Sequence, residues 1–200
     1  MGILSFLKAQ GQELDFYHES IQNEIFQILN KSSDTVLHSP VPFELGFDVG
    51  GGSDIYVYEN HFSGIAYLTS DLTGKKQMKS SNGNYELMIC HKSTDTWGSN
   101  LISKLAYYTL ESRLESGQTM DLGGNFLKEK SQIKALIFDK YASFKVGGKK
   151  YGILLLIGIT KDELDWAKNN GGQKLIEKLK EKKVYPITDL NRTSIFKNIP

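Results

Sequence analysis

The sequence predicts an α+β protein, a single domain in which a mixed or mainly antiparallel sheet packs against about four helices. Three observations predict this class. Strand-like and helix-like segments follow one another without strict alternation. The apolar run at residues 151–159 has the length of a strand buried on both faces and is too short to cross a bilayer. The chain has 200 residues, of which 40% are hydrophobic and 24% charged, as expected for one globular domain.

In the first half of the chain, one helix and three strands are predicted. Between residues 12 and 30, apolar residues recur every three or four positions, which is typical of an amphipathic N-terminal helix. The members of this stripe are Leu14, Tyr17, Ile21, Ile25 and Ile28. A turn-rich segment with two prolines follows, and strand patterns then occupy residues 54–59, 64–72 and 85–90.

A second helix is predicted from about residue 100 to residue 116. Its buried face is expected to carry Leu101, Leu105, Tyr108 and Leu114. Gly117 is expected to supply the left-handed residue that follows the helix end. A short buried strand at residues 133–138 and a glycine turn at residues 147–148 then lead into the apolar strand.

The end of the apolar strand carries a helix-start signal. Thr160 stands at the N-cap position and Glu163 three residues later, so the two side chains can form a capping box. A further helix is predicted to bury Leu175, Ile176 and Leu179 while its lysines face outward. Two short extended pieces, residues 184–190 and 193–196, close the chain.

Charge and cysteine content narrow the possible functions. The formal net charge of +1 gives no global electrostatic support for binding nucleic acid or a membrane surface. Acids dominate residues 1–60, whereas eleven lysines face five acids between residues 140 and 183. Cys90 is the only cysteine, so neither an intramolecular disulfide nor a four-cysteine zinc site can form. No signal peptide or membrane-spanning segment is recognised, and a cytoplasmic protein is expected.

No motif predicts a catalytic, cofactor or metal site. The glycines at positions 50–52 precede a strand, whereas a phosphate-binding loop leads into a helix, so a turn is predicted there. Cys90 and His91 are adjacent in a strand and should point to opposite faces, so they are not expected to chelate one metal. A buried, unreactive thiol is expected for Cys90. Two alternatives stay open: a hydrolase-like enzyme using Cys90 or a pair of acids, and a nucleic-acid-associated regulator using the lysines of residues 140–183.

A longer string near the C-terminus carries a family resemblance. It contains Gly158, Glu163-Leu164, Ala167, Gly172-Gln173, Leu175, Glu177, Leu179, Ile187-Thr188-Asp189, Arg192 and Ile195-Phe196. Together with the segment NYELMI from Asn84 and the helix around residues 97–108, this string resembles the Suppressor of Fused family, in the domain that forms the N-terminal part of the animal proteins. The resemblance is strongest over residues 54–200, and residues 1–200 are predicted to be one domain of this type.

The resemblance implies a non-enzymatic, cofactor-free domain that binds a protein partner. Animal members are negative regulators of Hedgehog signalling that sequester a transcription factor by holding a peptide between an N-terminal and a C-terminal domain. This chain corresponds to the N-terminal-type domain alone, as in short bacterial-type members, so a two-domain clamp is not expected. Immunity proteins that neutralise toxins of neighbouring cells have been proposed within the family, and a toxin is therefore one expected partner.

Three polar residues are predicted to contact the partner. Asp189 and Arg192 lie in the family-matching string without an obvious capping role, and Asp71 follows a predicted strand. The alternative is an internal ion pair or a hydrogen-bonded turn that fixes the C-terminal segment.

Overall fold

Seven strands form one mixed sheet between two layers of helices. The computed structural model describes residues 18–30, 33–73, 84–92, 94–123 and 131–197. The strands are β1 (Thr35–Leu37), β2 (Ile55–His61), β3 (Gly64–Thr69), β4 (Asn84–His91), β5 (Thr119–Asp121), β6 (Ile133–Val146) and β7 (Lys149–Thr160). The helices are α1 (residues 18–29), α2 (Trp97–Glu111), α3 (Lys161–Asn170) and α4 (Gly172–Glu181). Two single 3₁₀ turns, Phe43–Leu45 and Phe47–Val49, lie between β1 and β2.

The strand order across the sheet is β1-β2-β3-β4-β7-β6-β5. Among the described strands, β4 and β7 pair in parallel and every other neighbouring pair is antiparallel. The predicted α+β class with a mixed sheet and about four helices is therefore confirmed.

Strand β7 is buried on both faces, as its apolar sequence predicts. Every residue from 151 to 160 is buried. Ile153, Leu155 and Ile157 face the layer that α1, α3 and α4 form. Leu154 and Leu156 face the opposite layer, which contains α2. The sheet thus separates two apolar cores, and β7 contributes to both.

The helix predictions at the two ends of the chain are confirmed where the structure describes them. In α1, Ile21, Ile25 and Leu29 are buried against the sheet, while the predicted residues 12–17 lie outside the described residues. In α3, the capping box between Thr160 and Glu163 is present. Helix α4 buries the three predicted residues Leu175, Ile176 and Leu179.

The prediction for α2 is wrong in its limits and in part of its buried face. The helix ends at Glu111, because the next residue, Ser112, is extended, with φ −129° and ψ 138°. Leu114 is buried as expected, but it lies after the helix. Tyr108 is 46% exposed instead of buried, whereas its neighbour Tyr107 packs on Phe43 with ring centroids 4.4 Å apart.

Gly117 does have a left-handed φ of 88°, but in a turn six residues beyond the observed helix end at Glu111. The edge strands β1 and β5 are not anticipated by the sequence, since three residues are too few to show a period of two. Residues 184–190 form turns with one isolated bridge, between Ile187 and Cys90, rather than an extended strand.

Candidate protein-interaction site

Arg192, a predicted partner contact, makes a buried internal ion pair. Its two terminal nitrogens each lie 2.6 Å from an oxygen of Glu163, and one also donates to the carbonyl of Gly158 at 2.7 Å. The Glu163 side chain is 0% exposed and that of Arg192 10% exposed. Glu163 also accepts the backbone N–H groups of Thr160 and Ile195, both at 2.9 Å. This group joins the C-terminal segment to the start of α3.

Asp189 is exposed and stabilises a turn. Its carboxylate accepts the N–H of Asn191 at 2.9 Å, and its carbonyl accepts the N–H of Arg192 at 3.3 Å. The preceding Thr188 is buried, and its hydroxyl oxygen accepts the N–H of Gly158 at 2.8 Å. The structure thus brings Asp189 and Arg192 together in one anchored C-terminal segment.

Asp71 lies elsewhere, beside the start of β2. Its carboxylate accepts the N–H of Asp54 at 2.7 Å and the hydroxyl of Ser53 at 3.2 Å. All three predicted residues therefore take part in internal hydrogen bonding, and Asp71 belongs to a different region of the molecule from Asp189 and Arg192.

A second buried carboxylate, Glu86 of β4, holds the chain just after β3. It accepts the hydroxyls of Thr69 at 2.5 Å and Thr73 at 2.7 Å, and the N–H groups of Thr73 at 2.8 Å and Leu72 at 3.1 Å. Complete burial opposes the charged form, whereas these donors favour it. Burial prevails, with a smaller contribution from the charge of Asp71, and raises the pKa of Glu86 to about 7.

Cys90 and His91 point to opposite faces of β4, as predicted. Cys90 is fully buried in the core under α1, α3 and α4, and this burial raises the pKa of its thiol. His91 stacks between Tyr67 and Trp97, with ring centroids 4.9 and 4.5 Å away. Within the described part of the chain, no cluster of three or more His, Cys, Asp or Glu side chains could hold a metal ion.

The glycine segment after the 3₁₀ turns is a close-packed connection. Gly50 has φ 78°, which favours glycine. A Cβ on Gly51 would lie 2.5 Å from the Tyr107 hydroxyl oxygen and 2.7 Å from the Pro42 carbonyl oxygen. The predicted turn is consistent with this geometry, and the glycines allow the segment to approach α2. A cavity of about 360 Å³ beside it has several hydroxyl side chains in its lining, and two of them, Ser39 and Ser103, donate to backbone carbonyls.

A groove lies where the β6–β7 hairpin meets the chain that leaves α2. We call it the hairpin groove, and its volume is about 320 Å³. Apolar surface is contributed by Tyr85, Leu114 and Leu154. Polar side chains also line the groove, and they belong to Glu115, Ser116, Lys140, Ser143 and Lys150. An apolar base with a polar rim is the usual anatomy of a binding site.

Local backbone features shape the hairpin groove. The Tyr85 hydroxyl oxygen accepts the N–H of Leu114 at 3.1 Å, which fixes the chain after α2. Gly152 leaves part of the wall without a side chain, and a Cβ there would lie 2.6 Å from the Ala142 carbonyl oxygen. The β6–β7 register shifts between Lys140 and Ala142. Such a bulge increases strand twist and redirects side chains.

The residues of this groove were not predicted from the sequence. One signal was available, because residues 140–161 contain no Asp or Glu but five lysines. The remaining groove residues come from β4, from the segment after α2 and from the hairpin, and only the fold brings these segments together.

No helix in the described ranges combines the length and apolar character needed to cross a bilayer.

Comparisons with known proteins agree on one family. The sequence model of the Suppressor of fused protein family matches residues 53–193. A chain from "the Sufu-Fu complex crystal structure" is similar, with a TM-score of 0.73 at 14% identity, covering 90% of this chain and 92% of that chain. No curated protein matches by sequence.

Two further solved structures share the fold. Suppressor of Fused from Drosophila has a TM-score of 0.68 at 14% identity over 88% of this chain, which spans 50% of that longer one. A SUFU homolog from Neisseria gonorrhoeae FA 1090 has a TM-score of 0.64 at 16% identity, covering 89% of this chain and 96% of that chain. The family match covers more than half of the sequence and includes the anchored C-terminal segment up to Thr193. The chain therefore belongs to the Suppressor of fused family.

Proposed function

We propose that this chain is a non-enzymatic protein-binding domain that holds a segment of a protein partner in the hairpin groove and thereby sequesters or neutralises it. The observation that carries the proposal is the groove itself, with its apolar base of Tyr85, Leu114 and Leu154 and its polar rim. Its family membership supports the same function class, and one of the similar chains comes from a complex, Sufu-Fu.

The chemistry of the buried groups favours binding over catalysis. Cys90 and Glu86, whose pKa values burial raises, are both 0% exposed and do not line the hairpin groove. A nucleophile or general base must reach its substrate. The geometry of these two residues therefore suits a core role for each.

The three residues predicted from the sequence enter this proposal with different roles. Asp189 has an exposed side chain, and we propose it as a secondary contact. Arg192 donates to Glu163 and to the Gly158 carbonyl, and Asp71 accepts the N–H of Asp54. We propose that these two residues position the backbone for binding.

We further propose that the partner is a toxin and that this chain acts in the cytoplasm as an immunity-like protein, as the family resemblance suggests. Co-expression of this chain with a candidate toxin tests the toxin assignment directly. A toxin encoded beside this gene should stop growth when expressed alone and permit growth when this chain is co-expressed. Continued growth arrest with the chain present at equal abundance contradicts the toxin assignment.

A blocked-groove variant tests the binding function. The tagged protein is used to capture partners from its native cells, beside Ser143→Trp, which places a large side chain at an exposed position of the groove lining. Lys168→Trp, at an exposed position of α3, is the matched control. We expect one protein to be captured by the wild type and the control and to be lost with Ser143→Trp. Equal capture by all three excludes the hairpin groove as the binding site.

A further inference from the structure

The face of the β6–β7 hairpin that borders the groove concentrates positive charge. In the antiparallel register, Lys145 lies directly opposite Lys150, and Lys140 lies opposite Leu154. Directly opposite residues share a face, and side chains alternate along each strand. The three lysines therefore lie on the same face as Leu154, which forms part of the groove base.

This arrangement is unfavourable for the isolated hairpin. Like charges placed directly opposite each other in a sheet repel, so Lys145 and Lys150 weaken the pairing of their own strands. Local rules of this kind are most often broken where function requires it.

The nearby acids, Glu115 and Asp139, each pair with a cation outside this set of three lysines. Glu115, at the groove rim, lies 2.6 Å from the Arg113 side-chain nitrogen Nε. Asp139 is opposite Leu155, on the other face of the sheet, where it pairs with Lys180 at 3.0 Å; its carboxylate also accepts the hydroxyl of the groove residue Ser116 at 3.1 Å. Among the residues that the structure describes, no ion pair is formed by Lys140, Lys145 or Lys150. The groove thus combines an apolar base with a rim on which lysines outnumber the carboxylate of Glu115.

We propose that the segment held in the hairpin groove is an acidic stretch of protein, with carboxylates on Lys140, Lys145 and Lys150 and an apolar side chain seated against Tyr85 and Leu154. This inference rests on the proposed binding function and specifies the chemistry of the partner. A volume of about 320 Å³ can accept a large apolar side chain, which a phosphodiester backbone lacks. The formal net charge of +1 also gives the whole molecule no general attraction for polyanions.

Defined probes test the chemistry without knowledge of the natural partner. Fluorescent nine-residue peptides carry a central Leu-Phe-Leu flanked on each side by three glutamates, or by three glutamines as the neutral control, and nine-nucleotide polythymidine tests the nucleic-acid alternative. Binding is followed by fluorescence anisotropy and by amide chemical shifts. We expect the acidic peptide to bind about tenfold more tightly than the neutral one, to weaken with salt, and to shift residues 114–116 and 140–154.

Lys145→Glu separates binding from stability. It replaces a repulsive cross-strand pair with an attractive one, so the melting temperature should stay the same or rise by about 1 °C, while affinity for the acidic peptide falls about fivefold or more. Lys174→Glu, at an exposed position of α4, is the control and should change affinity less than about twofold.

Three results overturn the inference: equal binding of the acidic and neutral peptides, equal effects of the two lysine variants, or tighter binding of polythymidine to the same residues. Its failure is distinguishable from failure of the proposed function. A natural partner that is lost with Ser143→Trp, but binds independently of salt and of Lys145→Glu, retains the function and removes the acidic specificity.

Discussion

Replacing Arg192 with alanine should destabilise the fold strongly, because it removes the cation from a buried ion pair. Glu163 is 0% exposed and receives both terminal nitrogens of Arg192 at 2.6 Å. In the variant, the Glu163 carboxylate keeps the backbone N–H donors of Thr160 and Ile195 but loses the guanidinium of Arg192. The Gly158 carbonyl also loses the guanidinium donor.

The expected cost is about 3–5 kcal/mol, the usual range when one partner of a buried pair is removed. This is a large part of the roughly 5–15 kcal/mol that stabilises a typical domain. For a chain of this size it corresponds to a fall in melting temperature of roughly 6–20 °C. The double variant Arg192→Ala with Glu163→Gln should lose less than the sum of the two single variants, because it leaves no unpaired charge.

Urea unfolding measures these free energies, and the second ion-paired arginine supplies the control. Arg113 lies 2.6 Å from Glu115, but their side chains are 44% and 42% exposed. Arg113→Ala should therefore cost less than about 1 kcal/mol. A loss below about 1 kcal/mol for Arg192→Ala, or equal losses for the two arginines, would refute the structural role that the geometry assigns to Arg192.

Three further predictions concern other sites. Because burial raises the pKa of Glu86 from its ordinary 4.5 to about 7, its stabilising effect is complete below pH 4.5 and is lost as the pH rises through about 7. The free energy of unfolding, measured with urea at several pH values, should fall by up to about 3 kcal/mol as the pH rises, and this fall should disappear in Glu86→Gln. The same pH dependence in the variant as in the wild type contradicts this. Cys90 should react with a thiol reagent only on unfolding, because it is 0% exposed, and rapid labelling of the native protein at pH 8 contradicts its burial. Gly51→Ala should cost about 1–3 kcal/mol in urea unfolding, because the new Cβ would lie 2.5 Å from the Tyr107 hydroxyl oxygen. Gly148→Asn, at an open position with φ 76°, should cost less than about 1 kcal/mol, and equal costs contradict the crowding argument.

Much of the fold could be predicted because its strongest signals are local. The continuous apolar run of β7 indicated a strand buried on both faces, and Thr160 with Glu163 indicated where α3 begins. Both signals depend on neighbouring residues, which the sequence displays directly. The limits of α2 were harder, because apolar Leu114 continues the helical pattern beyond Glu111 although the chain is already extended at Ser112.

The site depended on contacts that are distant in sequence. Arg192 looked available for a partner because its position showed no capping role, but Glu163, which the capping signal had already explained, also binds its guanidinium. A carboxylate with two functions is not visible from spacing alone. Likewise, the hairpin groove joins Tyr85, Leu114 and Leu154, and only the parallel pairing of β4 with β7 and the turn after α2 bring them together.

Hydrogen–deuterium exchange of the captured complex tests most directly whether this domain acts by holding a protein partner in its hairpin groove. The account predicts slower exchange on binding at residues 114–116, 140–146 and 150–154, with the partner released chemically unchanged. Protection confined to another surface, or a partner recovered in a covalently altered form, would contradict it.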